Sequence, residues 1–185
     1  MLLEMDVTLT SGNASVLFGT RDASNVFMWS VNTLDNEKEP LIRRHIYDRG
    51  RLQSSDTPIG KFFTKSDLLN KEHHLAIEAK DGVVKTYIDK VLVDTYTDTD
   101  SKLSNGYIGF RAFRGNNTNE TAMFDNIVLT EYEQKGDKEE AKVVLKEDFE
   151  KPQSAFEGGE IVSVGGNRKL NMVSGSGDYR VLQVD

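Results

Sequence analysis

Apolar and polar residues alternate with a period of two along most of this chain. Leu3, Met5, Val7 and Leu9 alternate with Glu4, Asp6 and Thr8, the pattern of a strand with one buried face. Further strands are expected at Val16–Gly19, Val26–Val31, Leu41–Tyr47, His74–Ala79, Val83–Ile88, Val91–Tyr96, Tyr107–Phe113 and Ala122–Leu129. Turn-forming runs separate them: SGN at 11, RDASN at 21, KDG at 80, IDK at 88 and SNG at 104. The segment AIEAKDGVVKTYIDKVLVDTY, 76–96, reads as three antiparallel strands, with Asp81-Gly82 and Asp89-Lys90 at its two tight turns. One short helix is expected, capped by Ser66 or Thr64 and running through Asp67, Leu68 and Leu69. Many short strands with Asn- and Gly-bearing turns predict an all-β antiparallel sandwich.

The pattern changes near residue 131. EYEQKGDKEEAK, 131–142, is charged and lacks apolar anchors, as a linker or long turn does. Beyond it VVLKEDF, GEIVSV, RKLNMV and YRVLQV read as four more short strands. The expected organisation is a sandwich over 1–130, a charged linker over 131–142, and a β-strand extension over 143–185. That extension is apolar-poor, so an independent core would be marginal; it either completes the sandwich or is the cut start of a second β-domain, the second reading being the expected one.

The chain has 185 residues and no Cys, which removes disulfides, thiolate metal sites and Cys nucleophiles. Its 23 basic and 30 acidic residues give a net charge of −7, unfavourable for nucleic acid or an anionic membrane. No apolar run approaches the length of a membrane span, and MLLEMDVTLT has neither the basic start nor the long apolar stretch of a signal peptide.

Sequence signatures of common catalytic sites are missing: no G-x-S-x-G, H-E-x-x-H, P-loop or dinucleotide fingerprint. His73 and His74 are neighbours on a strand, so they face opposite ways and share no ion easily. Arg43, His45 and Tyr47 share a strand face that either contacts a sugar or is simply solvated. Trp29, the sole Trp, is either core or a stacking platform. Asp89, Asp94 and Asp125 are available for glycosidase-type acid chemistry, but no spacing selects a pair. Asp22, Asp125 and Asn126 are the candidates for a Ca²⁺ site, although no cofactor is required. Glycosylation triplets begin at Asn13, Asn116 and Asn119.

Four ordered stretches together carry a family resemblance: SVLFGTRDASNVFMWSVN, LIRRHIYDRG, HHLAIEAKDGVVKTYIDKVLVDTY and GYIGFRAFRGNNTNETAMFDNIVLTE. They resemble a concanavalin A-like (laminin-G-like) jelly roll, and more narrowly the sandwich module near the N-terminus of bacterial α-L-rhamnosidases of glycoside hydrolase family 78. The matching positions are Phe18, Asp22, Asn25, Met28 and Trp29, followed by Ile42, Arg43 and His45. In the meander they are His74, Ile77, Lys80, Thr86, Tyr87, Ile88, Asp89, Val93 and Asp94. The closing motif falls on Gly106, Ile108, Gly109, Phe110, Arg111, Phe124, Asp125, Asn126 and Ile127, and LKEDFE is similar to the opening of the next β-domain in such enzymes.

The resemblance implies a module of a secreted or periplasmic glycosidase. It also implies a non-catalytic part, because the chain holds nothing like the family's (α/α)₆ catalytic barrel. Its abrupt start suggests a cut piece. The function so implied is a carbohydrate-binding or scaffolding module whose partners are a glycan, such as a rhamnose-containing polysaccharide, and neighbouring domains. The expected binding residues are Arg43, His45 and Tyr47, with Trp29 and Arg111 in reserve. A stand-alone sandwich hydrolase and a purely structural interaction module are the alternatives.

Overall fold

The computed structural model describes residues 1–22, 24–34, 36–98, 106–115, 118–135, 138–151, 154–173 and 178–183. Two antiparallel sheets form an all-β sandwich, as the alternation predicts. The first contains β1 (Leu2–Ser11), β6 (Glu72–Lys80), β7 (Val83–Ile88), β8 (Val91–Thr97), β11 (Thr121–Lys135), β12 (Lys138–Glu147), β14 (Glu160–Val164) and β15 (Asn167–Val173). Its order is β14-β15-β11-β1-β6-β7-β8, with β12 also paired to β11. The second contains β2 (Asn13–Asp22), β3 (Asn25–Asn32), β4 (Leu41–Asp48), β5 (Arg51–Pro58), β9 (Tyr107–Gly115), β10 (Thr118–Asn119), β13 (Phe156–Glu157) and β16 (Asp178–Gln183). Its order is β13-β16-β9-β2-β3-β4-β5, with β10 paired to β9.

Local chemistry explains the joints. Asp81 and Gly82 both take positive φ, 51° and 72°, as do Asp89 and Lys90, 49° and 69°. Those values suit two-residue hairpins whose twist matches the strands. The single turn α1 (Lys65–Leu68) is capped by Thr64: its Oγ1 accepts from Asp67 N–H, and Thr64 N–H donates to Asp67 Oδ2. Leu68, below it, is buried.

The inward faces meet in one core. Phe18, Phe27, Trp29 and Tyr96 pack at one end, and Phe110 lies 4.2 Å from Phe124 at the other, joining the sheets. Phe156 packs on Phe110 at 5.4 Å and on Phe149 at 6.2 Å, so residues from beyond the charged segment reach the same core.

At one edge a polar contact crosses between the sheets. Arg44 of β4 reaches Asp94 of β8 at 3.3 Å, and Thr57 of β5 donates to the same carboxylate at 2.7 Å. The Arg44 guanidinium also lies 5.4 Å above the Tyr96 ring.

Besides the two-residue strands β10 and β13, two longer stretches form strands where the sequence predicts none. Where a linker is expected at 131–142, Glu131–Lys135 and Lys138–Lys142 form the arms of a β11–β12 hairpin. Its exposed faces need no apolar period, and cross-strand pairs such as Lys135–Glu140, 2.6 Å, run along it. β5 is nearly all exposed for the same reason and shows no alternation. Of the later strands, β15 pairs with β11 in the first sheet and β16 with β9 in the second.

Candidate functional site

Directly opposed residues of an antiparallel ladder point to the same side, so the register of the second sheet fixes what shares its outer face. One row across the strands reads Arg111, Ser15, Ser30, Arg43 and Asp56. The next reads Gly109, Leu17, Met28, His45 and Ser54. A third carries Val26, Tyr47 and Leu52. Arg43, His45, Tyr47 and Arg111 thus come together on one face, and Trp29 does not. Trp29 is opposite Arg44, points the other way, and is only 2% exposed among the core aromatics.

The middle of this face is lined by small or apolar side chains. Leu17, Val26 and Met28 form an apolar cluster separate from the main core, flanked by Tyr47. Ser15 and Ser30 are buried and share a 2.8 Å hydroxyl–hydroxyl hydrogen bond. Arg43 and Arg111 stand three strand spacings apart, about 14 Å at the backbone.

Each polar group is held in a defined state. Arg43 Nε and Nη2 donate to the two Asp56 oxygens at 2.9 and 2.8 Å, and Nη2 also donates to Glu37 at 2.9 Å. This bidentate grip raises the Arg43 pKa and fixes the guanidinium plane. The Arg111 guanidinium lies 4.8 Å over the Phe113 ring, with Nη1 3.8 Å from Met28 Sδ. His45 is half-buried; burial, then the charges of Arg111 and Arg43, push its pKa below the ordinary 6.5 despite nearby Asp56. It is therefore a neutral imidazole at neutral pH, able to donate and accept at once. A fixed guanidinium, a neutral imidazole and a phenol, set over a buried apolar layer of Leu17, Val26 and Met28, suit a ring with C–H faces and hydroxyl edges.

The acidic candidates are all engaged in structural contacts. Asp94 binds Arg44 and Thr57. Asp89 accepts from His74 N–H at 2.9 Å and lies 2.7 Å from His73 Nδ1; burial raises its pKa, but these contacts outweigh it and the net shift is downward. Asp125 is buried, which raises its pKa although Asn126 N–H, Lys169 and Asn167 all favour its charge. It sits at a β-bulge: Met5 of β1 faces both Asn126 and Ile127, and Asn126 takes φ 50°.

The two neighbouring histidines diverge as the strand geometry predicts. His73 reaches Asp89 and the Asp67 carbonyl, while His74 reaches Asp6 and Glu4. Asp22 accepts from Ser24 N–H and Asn25 within its own turn, in the sheet opposite Asp125 and Asn126. Among the described residues no group of three or more His, Asp or Glu is placed to hold a metal. Asn13 is buried with its amide on Glu120, Asn116 lies outside the described residues, and the side chain of Asn119 is likewise outside them.

Several residues of the face escape the sequence reading. Asp56 and Glu37, which fix Arg43, lie on an exposed strand and a loop without apolar period. Ser15 and Ser30 belong to strands whose alternation is blurred because both faces are buried. Asn13 resembles turn material, and only the paired register brings it beside Asn32.

No protein-family model matches the chain, and no curated protein matches it. Among solved structures it is similar to a carbohydrate-binding module, CBM66 from Bacillus subtilis. The two share 27% identity, with a TM-score of 0.49 over 68% of this chain and 71% of that one. At that TM-score no residue or ligand is transferred to this chain. No helix among the described residues is long and apolar enough to cross a membrane.

Proposed function

We propose that this chain is a non-catalytic carbohydrate-binding β-sandwich, and that the outer face of the second sheet is where it meets the sugar. The observation that carries the reading is the convergence of Arg43, His45, Tyr47 and Arg111 around the Leu17–Val26–Met28 floor. The sugar's C–H face packs on the half-buried Tyr47 ring, guanidinium and imidazole groups bond its hydroxyls, and the buried Leu17, Val26 and Met28 support these side chains from beneath. The engagement of Asp89, Asp94 and Asp125 in structural contacts favours binding over hydrolysis.

The motif series described above supports a finer reading: a module of a secreted or periplasmic α-L-rhamnosidase of glycoside hydrolase family 78. Its role there is to hold a rhamnose-containing glycan near a catalytic domain and so raise the local substrate concentration. A long helical catalytic domain in the same polypeptide is the expected finding, read from the gene; its absence removes the rhamnosidase assignment.

Binding itself is tested on a glycan array followed by calorimetric titration of the hits. Tyr47→Ala and Arg111→Ala should each weaken binding about tenfold, roughly 1.4 kcal/mol, with the fold intact by circular dichroism. No binding to any glycan at millimolar concentration rejects the reading.

A further inference from the structure

The contacts of the outer face stand too far apart for one sugar ring. Arg43 and Arg111 are three strand spacings apart, and Tyr47 lies four residues along β4 from Arg43, about 13 Å. A single ring is hardly wider than one strand spacing, about 5 Å. A ligand that uses these groups together is a chain of sugars.

Tyr107 of β9 shows the path of that chain. It alternates with the inward, buried Ile108 and Phe110, so it shares the outer side with Gly109 and Arg111. Thr20 of β2 stands directly opposite it. On the other side of β2, Phe18 faces Phe27 and Asp22 faces Asn25, so residues 19–21 bulge against Val26, which in turn faces Tyr47. Tyr107, Thr20, Val26 and Tyr47 therefore form one row across β9, β2, β3 and β4, with a tyrosine at each end, about 14 Å apart at the backbone.

Accessible surface in this row lies at its ends. Thr20 and Val26 are 4% and 3% exposed, whereas Tyr107 is 44% exposed and Tyr47 is half-buried. Hydrogen-bonding groups stand beside the line between the two rings. Arg111 Nη1 lies 3.8 Å from Met28 Sδ, two strands away, so the guanidinium leans inward over the face. Met28 is directly opposite His45, one row from Val26 and Tyr47.

Resting on the carbohydrate-binding reading, we propose that the face is an extended site for a linear oligosaccharide of three or more units lying across the strands. Tyr107 and Tyr47 stack on the outer units, and Arg111 and His45 bond the hydroxyls of what lies between.

The test titrates the full chain with galacto-, gluco-, xylo-, arabino- and rhamno-oligosaccharides of one to six units. In the series that binds, affinity should rise at least tenfold from one unit to three and level off beyond four. Tyr107→Ala should weaken binding of the longer members about tenfold and leave the single sugar within about twofold. Tyr107→Phe keeps the ring and should keep the affinity. The Tyr107 ring resonances of the unmutated protein give a second readout that needs no variant to fold: they should shift, together with those of Tyr47, on titration with three units or more.

Equal affinity for one unit and six, with Tyr107→Ala unimpaired, overturns the extended site and leaves a single-sugar face. A rise with chain length that leaves the Tyr107 resonances unmoved overturns the path across the strands. Absence of binding by every series and every array glycan at millimolar concentration overturns both readings.

Discussion

At His74 the imidazole lies between Asp6 Oδ1, 3.1 Å from Nδ1, and Glu4 Oε1, 3.4 Å from Nε2. Burial disfavours its proton, but the two carboxylates outweigh that and raise its pKa above 6.5. Its contribution to stability is therefore full below about pH 6.5 and lost as pH rises through the folded value. The side chain is 41% exposed, so screening keeps the effect under about 1 kcal/mol. His45 has the reverse sign. Its pKa is lowered, so its contribution is present above pH 6.5 and lost as pH falls through the folded value. Imidazole proton shifts should show His74 titrating above 6.5 and His45 below it, and His74→Gln should flatten the alkaline side of the stability profile. Equal midpoints for the two rings contradict both assignments. The period of two alone places Arg43, His45 and Tyr47 together. It says nothing of Arg111, on the far side of two intervening strands, nor of whether Trp29 shares their side, because both depend on register between strands.

At the level of elements, the sheet geometry is held by polar joints that a sequence motif displays without explaining. Asp94 closes one edge through Arg44 and Thr57, and Asp125 and Asn126 shape the bulge opposite Met5. Gly106 is needed because a Cβ there would lie 2.6 Å from the Thr20 carbonyl oxygen and 2.8 Å from Gly19 C. Gly106→Ala should therefore destabilise by about 1–3 kcal/mol in denaturant unfolding, whereas Gly50→Ala removes no space and strains only its φ of 77°. Asp94 is 1% exposed at its side chain and Arg44 12%, so removing one partner strands a buried charge. Asp94→Ala should cost about 3 kcal/mol, and the double change Arg44→Met with Asp94→Leu should cost less than the two single changes summed. An additive double variant denies the coupling. The hairpin turns were legible because Asp-Gly carries its own φ preference. The β11–β12 arms and β5 were not, since an exposed strand leaves no apolar period to read.

For the whole molecule, the question is how far folding of the two sheets depends on residues beyond 142. Phe149 and Phe156 are 0% and 6% exposed, and Phe156 packs against Phe110, which itself contacts Phe124. Leu170 and Met172 of β15 belong to the same buried cluster and are both fully covered. Glu147 ties the approach to this segment: its carboxylate accepts from Phe149 N–H at 2.8 Å and from Ala155 N–H at 2.6 Å. A chain ending at residue 142 would uncover Phe110 and Phe124 and free the β11 edge that β15 occupies over Thr121–Phe124. Those contacts predict one cooperative thermal transition for the 185-residue chain, with Phe156→Ala shifting the whole of it at a cost of about 3–5 kcal/mol. Residues 1–142 expressed alone should bind a hydrophobic dye and lose the sharp transition. Two separate transitions, with Phe156→Ala moving one and sparing the other, would instead mean that the later strands fold independently. Because Arg111 sits on β9 between β2 and β16, the same substitution should weaken sugar binding only as far as it unfolds the protein. Affinity measured well below the melting temperature should stay within about twofold of the wild type, which separates the core that supports the face from the residues that touch the sugar.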